Sequence, residues 1–267
     1  MSWMNRLTFV GTGDAMGVPR VYCECEICME ARSTGVNRRR RSSVLLHGTD
    51  DERRILIDCG PDWRSQMEGL GLRMVHTLLI THAHFDHIGG LPEWADACRW
   101  LGVKGRLYAP REVIAVIQGQ FPWLSRHMDF LETDEGIELG GWKISSWKVC
   151  HGKNGYSYAY RLEREGYRWA YCSDAIDLKP NEKELLHDLD VLVLGTSFVH
   201  EQAEFSTRSV YDMREAQELL DEVKPRHAYF THMSHDVDLR KDYGLPGGIT
   251  LARAGMTITL DKETEPF

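Results

Sequence analysis

The hydrophobic residues of the first third of the chain fall in short runs rather than helical stripes. LTFVGTG at 7–13, SVLLHG at 43–48, RILIDCG at 54–60 and TLLITH at 77–82 are each stopped by Gly, Asp or His. Runs of that length between turn formers read as buried strands. Past HIGGLPEWADACRWLG the spacing becomes helical, starting near Pro92, and REVIAVIQGQF at 111–121 predicts a second helix. Three aromatic-rich, partly alternating stretches follow, WKISSWKV at 142–149, YSYAYRLE at 156–163 and YRWAYCSD at 167–174, which suit an antiparallel or mixed sheet. DVLVLGTSF at 190–198 and RHAYFTH at 226–232 predict two more strands, and SVYDMREAQELLDEV at 209–223 an amphipathic helix between them. Strands outnumber helices, so two packed sheets with helices outside, a layered α/β arrangement, is the expected architecture. No repeat, low-complexity tract or linker marks a boundary, which predicts a single domain over 1–267.

Composition narrows the setting. With 42% hydrophobic residues the chain can form an ordinary globular core. No apolar run approaches the roughly 20 residues of a membrane helix, and the opening MSWMNRLTFVGTGD is too weakly apolar for a signal peptide, so a soluble cytoplasmic protein without a membrane partner is expected. The net charge of −8 argues against binding long nucleic acid through a generally basic surface. The one basic run, NRRRRSS at 37–43, reads either as a solvated turn or as a place for one phosphate. Of seven cysteines, Cys59, Cys98, Cys150 and Cys172 are scattered and read as small buried residues, whereas Cys23, Cys25 and Cys28 are bunched.

The strongest chemical signal is THAHFDHIGG at 81–90, which packs His82, His84, Asp86 and His87 behind a strand. Imidazole with carboxylate suits zinc, iron or manganese. One tetrahedral ion cannot readily use all four donors from so short a span, so two adjacent ions are the natural reading. His151, Asp174 and His232 each follow a strand, where layered α/β proteins assemble their sites.

In these residues the chain resembles the metallo-β-lactamase superfamily, whose H-x-H-x-D-H motif matches His82, His84, Asp86 and His87. The resemblance implies the αβ/βα four-layer sandwich, two mixed β-sheets flanked by helices. It further implies that His82, His84 and His151 hold one divalent metal, zinc or manganese, and Asp86, His87 and His232 another, with Asp174 bridging. LIDCG at 56–60 also matches, Asp58 then acting behind the ligands.

Cys23, Cys25 and Cys28 offer three thiolates to one structural zinc and need a fourth donor. THMSHD at 231–236 supplies one: three residues beyond His232 the chain has turned, so His235 can face elsewhere and complete a Cys₃His site. This pairing, together with GTGDAMGVP at 11–19 and HGK at 151–153, is similar to the PhnP family of phosphonate-operon phosphodiesterases. The resemblance implies a hydrolase of small phosphodiesters, cyclic ribose phosphates or nucleotides among them, working by attack of a metal-bridging hydroxide with Asp86 at its centre. The family's proton-donating histidine falls where this chain has Val210. His200 is the expected substitute, with Ser209 and Tyr211 as further polar candidates, and Lys153 and Asn154 as phosphate contacts set against a plain turn reading of GKNG. A zinc hydrolase of a lactone or thioester is the alternative, since the same metal pair polarises a carbonyl. A homodimer is left open.

Overall fold

The computed structural model of the protein describes residues 5–48 and 54–261. Residues 1–4, 49–53 and 262–267 lie outside it, and with them the first part of the opening segment read above. The strands are β1 Arg6–Gly11, β2 Ser43–Leu46, β3 Ile55–Ile57, β4 Thr77–Leu79, β5 Gly105–Ala109, β6 Met128–Glu132, β7 Ile137–Leu139, β8 Trp142–Cys150, β9 Tyr156–Arg164, β10 Tyr167–Cys172, β11 Val191–Gly195, β12 His227–Thr231, β13 Ile249–Leu251 and β14 Thr257–Thr259. They form two seven-stranded sheets, ordered β14-β1-β2-β3-β4-β5-β6 and β13-β12-β11-β10-β9-β8-β7. Each sheet is half antiparallel and half parallel, the parallel halves running from β3 to β6 and from β10 to β13.

The helices are α1 Glu26–Ser33, α2 Trp63–Leu70, α3 Phe85–Ile88, α4 Leu91–Leu101, α5 Arg111–Gln120, α6 Pro180–Lys183 and α7 Met213–Val223. None is long and apolar enough to cross a membrane. Strand alternation sorts the side chains into layers. Leu45, Leu56, Leu78 and Leu107 point away from the second sheet and pack with Met67, Trp94 and Ile114 of the helices on that face. Val44, Leu46, Ile57 and Leu79 point the other way and meet Trp142, Ile144, Leu162 and Trp169 between the sheets. There Trp142 and Trp169 lie edge to face with centroids 6.3 Å apart. On the far face Leu192, Leu194 and Phe230 pack against Leu219, Leu220 and Val223 of α7. Each such large apolar side chain contributes on the order of 1.5–3 kcal/mol when buried.

This is the expected αβ/βα sandwich. The helix expected over 209–223 begins only at Met213, because the Asp212 carboxylate accepts the N–H groups of Arg214 and Glu215 while Glu215 reaches back to the Asp212 N–H. That reciprocal cap fixes the start and leaves 209–212 extended.

Candidate metal centre

The carboxyl ends of β3, β4, β10, β11 and β12 converge at one edge of the sandwich, as strand ends do in open α/β sheets. After β4, residues 82–84 continue extended and α3 then turns Asp86 and His87 back toward the strand ends. This turn requires backbone to lie on backbone. A Cβ at Gly60 would collide with the Asp86 carbonyl, and one at Gly90 with the Gly60 carbonyl. The approach allows the Cys59 N–H to donate to the His87 carbonyl at 2.7 Å, which sets Asp58 beside His87.

Among the described residues three groups of potential donors result, each with its atoms within 4.8 Å of one another: His82, His84 and His151; Asp86, His87, Asp174 and His232; and Cys23, Cys25, Cys28 and His235. Metal–ligand lengths of about 2.0–2.1 Å for nitrogen or oxygen and 2.3 Å for sulfur put tetrahedral donors about 3.3 Å apart, or about 3.6 Å for sulfur with nitrogen. In the second group His87 Nε2 lies 3.1 Å from Asp86 Oδ2 and 3.2 Å from Asp174 Oδ2, and His232 Nε2 lies 3.2 Å from Asp174 Oδ1. In the third, His235 Nδ1 is 3.2, 3.5 and 3.4 Å from the sulfurs of Cys23, Cys25 and Cys28. Both groups therefore fit a tetrahedral divalent ion. In the first, His82 Nε2 and His84 Nδ1 stand 2.9 Å apart. Asp174 Oδ1 is also 3.8 Å from His151 Nε2, so this carboxylate lies between the first and second groups and could serve both.

Buried polar atoms give a second test. His87 Nε2, His232 Nε2 and Asp174 Oδ2 are buried without a hydrogen bond from any described residue, a costly state unless something else binds them. Their opposite sides are well held. Asp58, itself buried, accepts from His87 Nδ1 at 2.7 Å and from the Thr81 hydroxyl at 2.9 Å, and that hydroxyl in turn accepts from His82 Nδ1 at 3.0 Å. One carboxylate thus orients a ligand in each of the first two groups and leaves both Nε2 lone pairs facing inward. His151 Nδ1 donates to the Ser209 carbonyl at 2.7 Å. Gly152 makes that possible: at φ 54° it lies so close to the Arg208 carbonyl that a Cβ would collide with it.

The charge pattern separates the first two groups. Burial lowers His82 well below the ordinary imidazole range, and lowers His84 and His151 as well, so these three are neutral donors. Burial would also lower His232 and His87, but Asp174 and Asp86 outweigh it, holding His232 up to about 9 and His87 well above its usual value. Against burial, His87 and His232 in turn hold Asp86 and Asp174 well below the carboxylate range. In the metal-free chain the two carboxylates thus favour positive charge at His87 and His232, the charge that a bound cation would supply instead.

The remaining expected residues divide. Asn154 sits at the mouth, its Nδ2 3.4 Å from His151 Nε2, in a tight turn over 152–154. Lys153 exposes its side chain and binds only through its backbone N–H, to the Arg208 carbonyl. His200 belongs to none of the three groups. Its side chain is 42% exposed, and Nδ1 pairs with the buried Asp212 carboxylate at 2.9 Å. Val210 is buried, and the Tyr211 hydroxyl, on a side chain that is itself buried, accepts the Leu178 N–H at 2.9 Å. The arginine run is not a phosphate site as a whole: Arg38 donates to the Ala31 carbonyl, Arg39 is buried, and Arg41 pairs with Asp62. Sequence reasoning missed Asp212, although the D-x-x-E spacing to Glu215 signals a helix start. It also missed Thr81 and the Ser209 carbonyl, which no side-chain pattern announces.

The chain is similar to several known proteins. An octanoyltransferase of Porphyromonas gingivalis is 27% identical over 97% of this chain, which spans 52% of that protein. A ribonuclease Z of Agathobacter rectalis is 31% identical over 42% of the chain and 40% of its own length. The chain thus spans about half or less of these curated relatives. The crystal structure of a diphosphatase from the PhnP family superposes with a TM-score of 0.83 at 29% identity, over 96% of this chain and 98% of that one. The model of the β-lactamase superfamily domain matches residues 53–233, which take in all seven donors of the first two groups. The chain belongs to the metallo-β-lactamase superfamily.

Proposed function

We propose that the protein is a dinuclear metal-dependent hydrolase of small phosphodiesters, with a separate structural zinc. The observation that carries this is the pair of adjacent donor groups with Asp174 between them, a spacing suited to two ions sharing one substrate. His82, His84 and His151 would hold one divalent ion, zinc or manganese, and Asp86, His87 and His232 the other. Such a pair supplies Lewis acidity and makes water acidic enough to attack phosphorus near neutral pH. The protein's own groups do the rest. Asp58 and Thr81 fix His82 and His87, the Ser209 carbonyl fixes His151, and Asn154 offers an amide donor to a phosphoryl oxygen at the mouth.

The departing oxygen needs a proton unless it leaves as a weak base. With Val210 buried, His200 is the group for this, its Nδ1 paired with Asp212 so that Nε2 is the ring nitrogen left to pass a proton to the departing oxygen. Likeness to a PhnP-family diphosphatase supports phosphoryl rather than acyl chemistry, and adds diphosphates to the substrates worth testing. Cys23, Cys25, Cys28 and His235 would hold the structural zinc, joining the N-terminal loop to the loop that carries His232. Burial pushes the Cys28 thiol up to about 11, which a bound cation would reverse.

A second reading, hydrolysis of a thioester or lactone, is favoured by the octanoyltransferase relative, whose name is one of acyl chemistry. The deciding experiment loads the protein with zinc or manganese and assays chromogenic phosphodiesters, 2′,3′-cyclic nucleotides, diphosphates, lactones and thioesters. The expected outcome is phosphodiester or diphosphate turnover that chelation abolishes. Turnover of acyl substrates alone would reverse the assignment.

A further inference from the structure

Residues 231–238 serve two donor groups at once, since His232 belongs to one and His235 to another. Their shape is set by contacts from outside the loop. His232 adopts φ 57°, after which the Met233 N–H donates to the Thr12 carbonyl and the Ser234 N–H to the Ser197 carbonyl, each at 2.8 Å. These bonds fix the start of the loop. Its far side, around His235, rests on a buried side chain that the sequence placed in an unremarkable basic run.

We propose that Arg39 is the positioning residue of this loop, a buried brace that holds His235 over the three thiols and keeps the segment carrying His232 in register. Arg39 Nη2 donates to the carbonyls of Ser234 and Val237, both at 2.8 Å, and so spans His235 from either side. Nη1 reaches Asn37 Oδ1 at 3.5 Å, and the same oxygen accepts the Leu239 N–H at 2.7 Å. Asn37 Nδ2 donates to Asp238 Oδ1 at 2.9 Å, so the run clamps 234–239 at four points. The brace is also tied to the thiol side. Arg39 and Val18 exchange backbone hydrogen bonds at 2.9 Å, and Val18 packs against Cys28 and Ala31. One residue therefore links the loop bearing three thiols to the loop bearing their histidine.

The chemistry requires a guanidinium. Nη2 gives one N–H to each carbonyl while Nη1 of the same rigid plane reaches Asn37, a fork that the flexible, three-donor ammonium of Lys reproduces only in part. Arg39 is only 2% exposed, and burial lowers it to about 10, so it remains charged at neutral pH. Its removal would take away the Arg39 donor of the Val237 carbonyl and leave the Ser234 carbonyl to the longer 3.2 Å bond from the Val237 N–H, in a buried place where the loop would move to find other donors.

The brace rests on the reading of Cys23, Cys25, Cys28 and His235 as a zinc site, and the test separates the two. Parent, Arg39→Met, Arg39→Lys and Cys25→Ser proteins are compared by zinc release into excess chelator, by the thiolate absorption band of the cobalt(II)-substituted protein, and by amide exchange of residues 233–237 against β4 and β5. Expected for Arg39→Met is zinc release at least about ten-fold faster, a weakened cobalt band and faster exchange in 233–237, with β4 and β5 unchanged. Arg39→Lys should fall between that variant and the parent, and it carries the test alone if Arg39→Met does not fold. Parent-like zinc release and loop exchange in both variants would overturn the brace, as would exchange that quickens equally in β4 and β5. If the parent itself shows no thiolate–cobalt band and Cys25→Ser loses no metal, the zinc reading fails instead, and loop exchange alone then decides for or against the brace.

Discussion

His232 and His235 lie three residues apart, yet the surroundings that receive them are built on different principles. His232 enters a cluster whose members stand at the ends of buried strands and are held from behind by Asp58, Thr81, Ser197 and the Ser209 carbonyl. His235 meets the half-buried Cys23 and exposed Cys25 of a surface loop and the buried Cys28 of short α1, a segment held by Arg32, which donates to the carbonyls of Cys23, Arg20 and Val21. The first arrangement is rigid through the sheets. The second consists of two segments joined by the Arg39 brace and by the donors themselves. A centre of the first kind can lose a ligand and keep its shape, whereas one of the second kind loses shape with the ligand.

The most severe test of that contrast is Asp86→Ala. Turnover should fall by about 10³-fold or more while the melting temperature stays within a few degrees, because α3 is held by backbone contacts with Cys59 and Gly60. Full activity would sink the dinuclear assignment. Next in size is His200→Ala, expected to slow hydrolysis about 10²-fold for an alkyl leaving group and far less for a nitrophenyl one. Equal small effects on both would reduce His200 to a loop residue.

The pair His232→Ala and His235→Ala sharpens the comparison directly. The first should lose activity and keep its tightly held zinc; the second should lose that zinc and melt about 5–10 °C earlier. If His235→Ala keeps the parent's zinc and melting point while Cys25→Ser loses both, His235 is not the fourth ligand. The smallest effect concerns protons. His232 is raised from an ordinary value near 6.5 to about 9 in the metal-free chain, so the stability it contributes is full below about pH 6.5 and lost as pH rises through 9. Metal-free protein should therefore lose roughly 1–3 kcal/mol of stability over that window. Metal retention at the second group should strengthen over the same window, since the ion no longer competes with a proton. Denaturant unfolding at several pH values checks the first, and competition with a chelator the second.

Much of this was legible because apolar runs such as DVLVLG at 190–195 and TLLI at 77–80 are buried on both faces and leave a continuous signal. Short edge strands were not: β13 and β14 hold three residues each and alternate with exposed threonines, so their pairing is decided by neighbours far along the chain. Helices α1 and α2 were missed for a related reason, since their buried faces, Cys28 with Ala31 and Trp63 with Met67, are too narrow for a periodic stripe. At the centre, the donors announced themselves because imidazoles and carboxylates rarely crowd behind strands without cause. The groups that orient them did not: a backbone carbonyl at Ser209 has no letter of its own, and Arg39 reads like its neighbours until its burial is known.

The thiol cluster has a consequence in time. Cys28 and His235, the fourth donor of the proposed zinc site, are separated by 207 residues of chain. At about 5–20 residues per second of synthesis, roughly 10–40 s pass between the appearance of the last thiol and that of the histidine. Throughout that interval the growing chain carries three neighbouring sulfurs that can capture a metal or an oxidant but cannot close a cage. The strand β14, which covers the open edge of β1, is made later still. On the proposed zinc reading, closing the cage and covering that edge both wait for the second half of this sequence, and the thiols depend on the supply of zinc at that moment.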